Sequence, residues 1–373
     1  VIRILYIIST VTGGGVERRR LSLARYLDKD QFHTKLVGTH KSGFIAEQIE
    51  LYDMEILEVG DFHGPFHCTK HKKVQQIIED FRPHIIHGAV YEGVTMAALN
   101  GFLKRVPIVI LEETSDPQNR SAKASFLLKI FSLVADRFIA ISPNVANYLT
   151  TIAGVSPHKV VTINNGVEIP REVSPEEVFV LKKMLNIQDG DFVVGSVGRL
   201  FDGHKRFSDL VEAVSLLNNP DLKLLIVGGG PDESLIREKA FDLNVADQVI
   251  FAGYQFDTAP FYKLMDVFCI ASSREGFGLV VAEAMMHSLP VIATAVGGLK
   301  DIVVAQETGY LVPPYSPSSL SEKIRELKDS PSRREDMGAR GKMRAFEKYS
   351  ALRYVKEVER LYLEMLDVKG IKG

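Results

Sequence analysis

The segment Val267–Met285, VFCIASSREGFGLVVAEAM, carries the pattern on which the fold turns. VFCIAS is an apolar run of strand length, Gly276 and Gly278 mark a turn, and LVVAEAM reads as a helix. Strand, glycine turn and helix in succession form the repeating unit of a parallel α/β sheet. Two carboxylates frame the turn: Glu275 opens it, and Glu283 sits inside the apolar helix. A carboxylate in apolar surroundings is costly unless its acceptor capacity is used. The vicinal hydroxyls of a ribose would use it, and so would a salt bridge along the helix face. For Glu275 the plain alternative is a favourable charge at a helix N-terminus.

The same unit recurs on both sides. IRILYII, HTKLVGT, MEILEV, HIIHG, PIVILE, RFIAIS and KVVTIN are strand candidates in the first half; DFVVGSVG, LKLLIVG, QVIFAG, VFCIAS and LPVIAT are those of the second. Amphipathic stretches such as GVERRRLSLARYL separate most of them, which predicts doubly wound parallel sheets. A chain of 373 residues is too long for one ordinary core. The proline- and charge-rich IPREVSPEE (169–177) reads as a linker. The expected organisation is a first domain over 1–170, a second over 171–350, and a C-terminal helix over 351–373. Two such sheets facing each other would form a ligand cleft at the carboxyl ends of their strands.

Apolar residues make up 46% and charged residues 25%, as in a soluble globular protein. The net charge of −2 gives no global field for nucleic acid, so an anionic ligand needs local cations. VIRILYIIST is too short and too soon broken by glycines to read as a leader, and no run approaches the roughly 18 residues of a spanning helix. Two distant cysteines, Cys68 and Cys269, read as reduced thiols, and the expected location is the cytoplasm, with the inner face of the cytoplasmic membrane as the alternative.

Several loops carry candidate chemistry. In STVTGGGVERRR, Gly14 and Gly15 lead into a helix and would let a ligand approach its amides; a simple turn is the other reading. In GSVGRLFDGHKRF, Arg199 and Lys205 follow a strand and suit a diphosphate, the alternative being a solvated basic loop. LLIVGGGPDESL places Gly229 in a second triplet, a position open to ligand approach and equally to a tight turn into the helix starting near Asp232. His63, His67, Cys68 and His71 have zinc-like spacing, but Gly64 and Pro65 interrupt any helix there, so no metal site is assigned. His84 and His87 read as strand-end histidines, and Arg18–Arg20 and Lys70–Lys73 as solvated charge. SFLLKIFSLVADRF reads as a core helix, with a membrane-surface face as the alternative.

Taken together, GGGVERR, NNGVE, GRLFDGHK, EGFGLVVAE and LPVIATAVGGLKDIV…TGYLV resemble, in order and spacing, the retaining nucleotide-sugar glycosyltransferases of family 4. The resemblance implies a GT-B fold of two Rossmann-like domains, the first binding acceptor and the second donor, with the last helix crossing back to the first. It implies that Arg199 and Lys205 hold the donor diphosphate, Glu275 bonds the transferred sugar and Glu283 the ribose. Gly14 and Gly15 would face the phosphate, Gly229, Phe277, Gly278 and Leu279 would line the donor, and Gly253 and Tyr254 would meet the base. Where the family often has a histidine near the sugar, this chain has Glu112, Glu113 and Thr114, with Glu113 the best alignment. Asp301 stands where a glutamate commonly follows the Gly297–Gly298 pair.

The implied reaction is sugar transfer from a nucleoside diphosphate donor, with uridine favoured, to a glycan, lipid-linked or small-molecule acceptor. Configuration would be retained, no metal or other cofactor is expected, and no nucleic-acid partner. An epimerase or phosphorylase of the same fold, or a two-lobed binding protein without chemistry, would share the architecture.

Overall fold

The computed structural model describes residues 1–61, 67–114 and 121–371. The chain divides into two compact units: Val1–Glu168 together with Ser350–Gly373, and Ile169–Tyr349.

The first unit is built on seven parallel strands, β1 (Ile2–Ile7), β2 (Phe32–Gly38), β3 (Glu55–Glu58), β4 (Ile85–Ala89), β5 (Ile108–Glu113), β6 (Arg137–Ala140) and β7 (Val160–Thr162). Their order is β3-β2-β1-β4-β5-β6-β7. The central strands are apolar on both faces because helices cover both sides, so they read as continuous runs rather than as alternation. The order reverses between β1 and β4, with Ile4 opposite Ile85 and Ile7 opposite Gly88. The core draws in the C-terminal helix Ala351–Val368, which buries Tyr354, Val355, Val358, Tyr362 and Met365.

The second unit holds β8 (Phe192–Val197), β9 (Leu222–Val227), β10 (Val249–Phe251), β11 (Val267–Ile270), β12 (Val291–Thr294) and β13 (Gly309–Val312), all parallel, in the order β10-β9-β8-β11-β12-β13. Entry is fixed by Ser174, which caps helix Pro175–Met184 in a reciprocal box with Glu177. The four-residue edge strand β13 was not among the sequence-based strand candidates. Gly309 lets it approach, since a Cβ there would lie 2.1 Å from the Val291 carbonyl oxygen.

The order of the second sheet reverses between β8 and β11, where Val267 pairs with Val194. Loops that leave the carboxyl ends of two such strands converge at this switch point, the usual ligand position in an open α/β sheet. The two loops are those of Arg199–Lys205 and of Glu275.

Candidate active site

The loop after β8 is shaped from its backbone outward. Leu200 is fully buried; its N–H donates to the Gly229 carbonyl (3.1 Å) and its carbonyl accepts from Asp232 N–H (3.1 Å). Buried Asp202 accepts from Ser208 N–H (2.8 Å), while its own N–H donates to Asp232 Oδ2 (2.7 Å). These bonds hold the short helix Asp202–Lys205, and Arg206, at φ 53°, turns the chain into helix Phe207–Leu217. Between the anchors, Arg199 is exposed and its guanidinium makes no hydrogen bond or ion pair with the described residues.

The loop after β11 docks on the first. Ser273 N–H donates to the His204 carbonyl (2.8 Å), and Arg274 Nη2 lies 3.1 Å from His204 Nε2. The contact brings Lys205 Nζ to 2.5 Å from Glu275 Oε2, with side chains 25% and 16% exposed. Ser272 Oγ donates to the same oxygen at 3.4 Å. The Glu275 carbonyl accepts from Gly298 N–H (3.0 Å), and a Cβ on Gly298 would come within 2.7 Å of Gly276 O and Phe277 Cα. The Gly297–Gly298 pair thus meets a backbone approach. Beyond it, half-buried Asp301 is pushed up by desolvation and leaves Oδ2 without a hydrogen bond.

Gly278 precedes helix Leu279–Met286 at φ 108°, a left-handed conformation that favours glycine. A Cβ there would also meet Leu299 Cδ2 at 2.5 Å. Leu279 is the first helical residue, so its amide is among the orphan donors of the helix end. Phe277 is buried, with its ring edge-on to Tyr349 at 5.6 Å, so only its backbone can serve a ligand. Glu283, half-buried, accepts on Oε2 from the Tyr262 hydroxyl (3.0 Å), so its described partner is a phenol rather than a cation.

The second glycine triplet owes two of its members to packing. A Cβ on Gly228 would lie 1.8 Å from Gly198 O, and one on Gly230 would lie 2.3 Å from Leu200 O. Gly229 has room: its nearest neighbour would be Tyr254 Cβ at 3.7 Å. Gly253, at φ 69°, bonds its carbonyl to Gly228 N–H (2.8 Å), and Tyr254 is exposed beside it. Gly229, Gly253 and Tyr254 therefore share one edge of the second sheet.

In the first unit, Gly14 and Gly15 head helix Gly15–Tyr26. The buried Glu17 carboxylate folds back on them, so close that a Cβ on Gly14 would lie 2.6 Å from its Oε2. The reading of Arg18–Arg20 as solvated charge is corrected. Arg19 and Arg20 are buried and both pair with Glu112, at 2.6 and 2.7 Å. Arg19 also donates to Asn165. His87 lies beside them, with Nδ1 2.7 Å from Tyr362 Oη and Nε2 3.3 Å from Glu112 Oε2. Burial pushes His87 down to about 4, with Arg20 acting in the same direction. Burial alone would raise Glu112; Arg19 and Arg20 overcome it and hold the carboxyl well below its ordinary range. Glu112 is therefore committed to this cluster, while Glu113, equally buried, ends β5 and accepts from Thr114 N–H at 3.0 Å.

His84 Nδ1 accepts from Arg3 N–H (2.9 Å), and His71 lies within hydrogen-bond distance of Asn100. His63, of the zinc-like cluster, lies outside the described residues, as do Ser115–Arg120. Among the described residues no three His, Cys, Asp or Glu side chains converge to hold a metal, and no helix is long and apolar enough to cross a membrane. Neither Cys68 nor Cys269 forms a disulfide; the first is exposed and the second buried.

The family model for glycosyltransferase family 4 matches residues 13–171, and that for glycosyl transferases group 1 matches 179–344. N-acetyl-alpha-D-glucosaminyl L-malate synthase of Bacillus anthracis is 30% identical over 217 residues, 56% of each chain. CapM of Staphylococcus aureus, a capsular polysaccharide biosynthesis glycosyltransferase, is 30% identical over 241 residues, 63% of each. The chain thus spans between about half and two thirds of the length of these curated relatives. In fold, Anabaena HepE, solved with UDP and glucose, superposes with a TM-score of 0.87 over 97% of this chain and 99% of its own, at 19% identity. With both Rossmann-like units matched in turn, the chain belongs to the family 4 glycosyltransferases, which share the GT-B fold.

Proposed function

We propose that the chain is a retaining glycosyltransferase that moves a sugar from a nucleoside diphosphate donor, UDP-linked by preference, onto a glycan, lipid-linked or small-molecule acceptor of envelope or polysaccharide assembly. The observation that carries this reading is the Lys205–Glu275 pair at the switch point of the second sheet, with the uncommitted Arg199 guanidinium on the same loop. The capsular role in the name of CapM and the UDP bound to HepE support the choice of substrates.

The donor diphosphate draws Lys205 and Arg199 to its oxygens. As the bond from C1 to the phosphate oxygen breaks, charge gathers on the diphosphate, and these fixed cations stabilise it more than they stabilise the ground state. Glu275 accepts hydrogen bonds from the sugar hydroxyls, and Glu283 from those of the ribose. The acceptor oxygen bonds to C1 on the face the phosphate leaves, and its proton passes to the departing phosphate oxygen, so configuration is kept. The two side-chain cations take the place of a divalent ion, so activity withstands EDTA.

Two cysteines that form no disulfide suit a reducing compartment, and we place the protein in the cytoplasm. Helix Ala122–Val134 exposes Phe126, Ile130 and Leu133 beside Lys129, a face suited to a membrane carrying the acceptor. Sedimentation with anionic vesicles tests that contact.

Thermal shift against UDP, GDP, ADP and their sugars tests the function. The matching nucleotide stabilises by about 2.7 kcal/mol at a hundredfold excess over its Kd, and Arg199→Ala abolishes turnover without lowering Tm. Stabilisation by none of them refutes the reading. Donor consumption without acceptor would mark an epimerase, and a need for inorganic phosphate a phosphorylase.

A further inference from the structure

We infer that Tyr262 is a positioning residue for the donor: its hydroxyl holds the Glu283 carboxylate in the one orientation that receives the ribose hydroxyls. The inference rests on the role proposed above for Glu283 and adds to it a residue outside the motifs.

Tyr262 ends the short helix Ala259–Tyr262, just ahead of β11, and is 1% exposed. Its hydroxyl lies 3.0 Å from Glu283 Oε2 and 3.3 Å from the Val280 carbonyl. The hydroxyl has a single proton, and the ionised carboxylate is the stronger and nearer acceptor. The ring cannot swing away. It stacks on His287 at 4.8 Å and 24°, and it also meets fully buried Phe268 at 5.9 Å. His287 lies one helical turn beyond Glu283, and its N–H donates to the Glu283 carbonyl at 3.2 Å. The tyrosine and the glutamate it holds are therefore set by the same turn of helix.

The chemistry left on Glu283 fits two vicinal hydroxyls. Oε1 has no hydrogen bond with the described residues. Oε2 spends one lone pair on Tyr262 and keeps another, because an ionised carboxylate offers about four acceptor positions. A glutamate side chain free to rotate would have to be ordered by the nucleotide; one already pinned gives its hydrogen bonds at a smaller entropic cost. A buried tyrosine that merely needs a partner would look the same in the free protein, so the test must separate the two.

The Kd values of UDP and 2′,3′-dideoxy-UDP are measured by calorimetry, with competition for the weaker ligand, on the full chain and on Tyr262→Phe. The wild type prefers UDP by about tenfold or more, the worth of one or two charge-assisted hydrogen bonds. In Tyr262→Phe the preference falls to about threefold or less through weaker UDP binding, with dideoxy-UDP unchanged. A merely structural tyrosine would weaken both ligands together and keep their ratio, and that result overturns the inference while leaving Glu283 in place. A wild type that binds the two alike, or binds neither, overturns the donor reading and the inference with it. Should Tyr262→Phe melt below the assay temperature, His287→Ala is measured in its stead. It keeps the hydroxyl but removes the ring that pins it, and the same two outcomes decide.

Discussion

Replacing Glu275 with Gln is expected to move binding and turnover in opposite directions. In the free protein Lys205 is engaged by Glu275 at 2.5 Å, and both side chains are mostly shielded from water. A donor diphosphate must take the ammonium away from that carboxylate, and must also approach a negative charge. A hydrogen bond to a charged group contributes about 1.5–3 kcal/mol. Removing the competitor should return much of that to the ligand, so UDP binds Glu275→Gln roughly ten- to a hundredfold more tightly. The amide oxygen of Gln can still accept from Lys205, so the fold is kept. Turnover behaves differently, because a neutral amide is a weaker acceptor for the sugar hydroxyls as C1 becomes cationic. The kcat should drop by about tenfold to a hundredfold. Calorimetry with UDP at fixed ionic strength gives the first quantity and donor-to-acceptor transfer gives the second. If Glu275→Gln binds UDP no better than the parent, Lys205 does not serve the diphosphate, and the electrostatic account of the site fails.

Three further outcomes follow from the packing. Glu112→Ala leaves Arg19 and Arg20 buried without their carboxylate, and should cost about 3–5 kcal/mol in urea unfolding; a loss below about 1 kcal/mol would mean that water reaches the pair. Gly228→Ala, with its Cβ 1.8 Å from Gly198 O at φ 146°, should yield little folded protein, whereas Gly229→Ala, with 3.7 Å to its nearest neighbour, should express and melt like the parent. Equal behaviour of the two would sink the packing reason for the triplet. His87 is held neutral down to about 4 by burial, while the unfolded chain takes up its proton near the ordinary pKa of about 6.5. Between those values the unfolded state binds more protons, so stability present at neutral pH is lost on acidification, by on the order of 3 kcal/mol. A flat urea midpoint between pH 7 and pH 5 would show that His87 titrates normally.

The loops at the second switch point were readable because each candidate follows an apolar run and lies close to a glycine. Strand, turn and helix are local patterns, and Arg199, Lys205, Glu275 and Glu283 inherit their places from them. Pairings across the sheet were not readable in the same way. Arg19 and Arg20 look solvated in sequence because three arginines in a row rarely enter a core. Their partner Glu112 is 93 and 92 residues away, at the end of β5. The choice between Glu112 and Glu113 is likewise decided by which face of the sheet each side chain takes, a matter of register. Tyr262 carries no signal at all: a single tyrosine in a mixed segment acquires meaning only when the helix of Glu283 is laid beside it. The two outer glycines of Gly228–Gly230 show the reverse case, a motif read as open to ligand whose spacing answers first to the backbone of the preceding loop.

The first unit is discontinuous: its core takes in Tyr354, Val355, Val358 and Tyr362 only after the chain has passed through the whole of Ile169–Tyr349. During synthesis the second unit is complete before the first can close. The growing chain therefore carries an uncapped apolar surface and a half-made cluster around His87 until its last helix emerges. A chain truncated after Tyr349 would therefore join a complete second unit to a first unit that lacks its closing helix and leaves apolar surface open to aggregation.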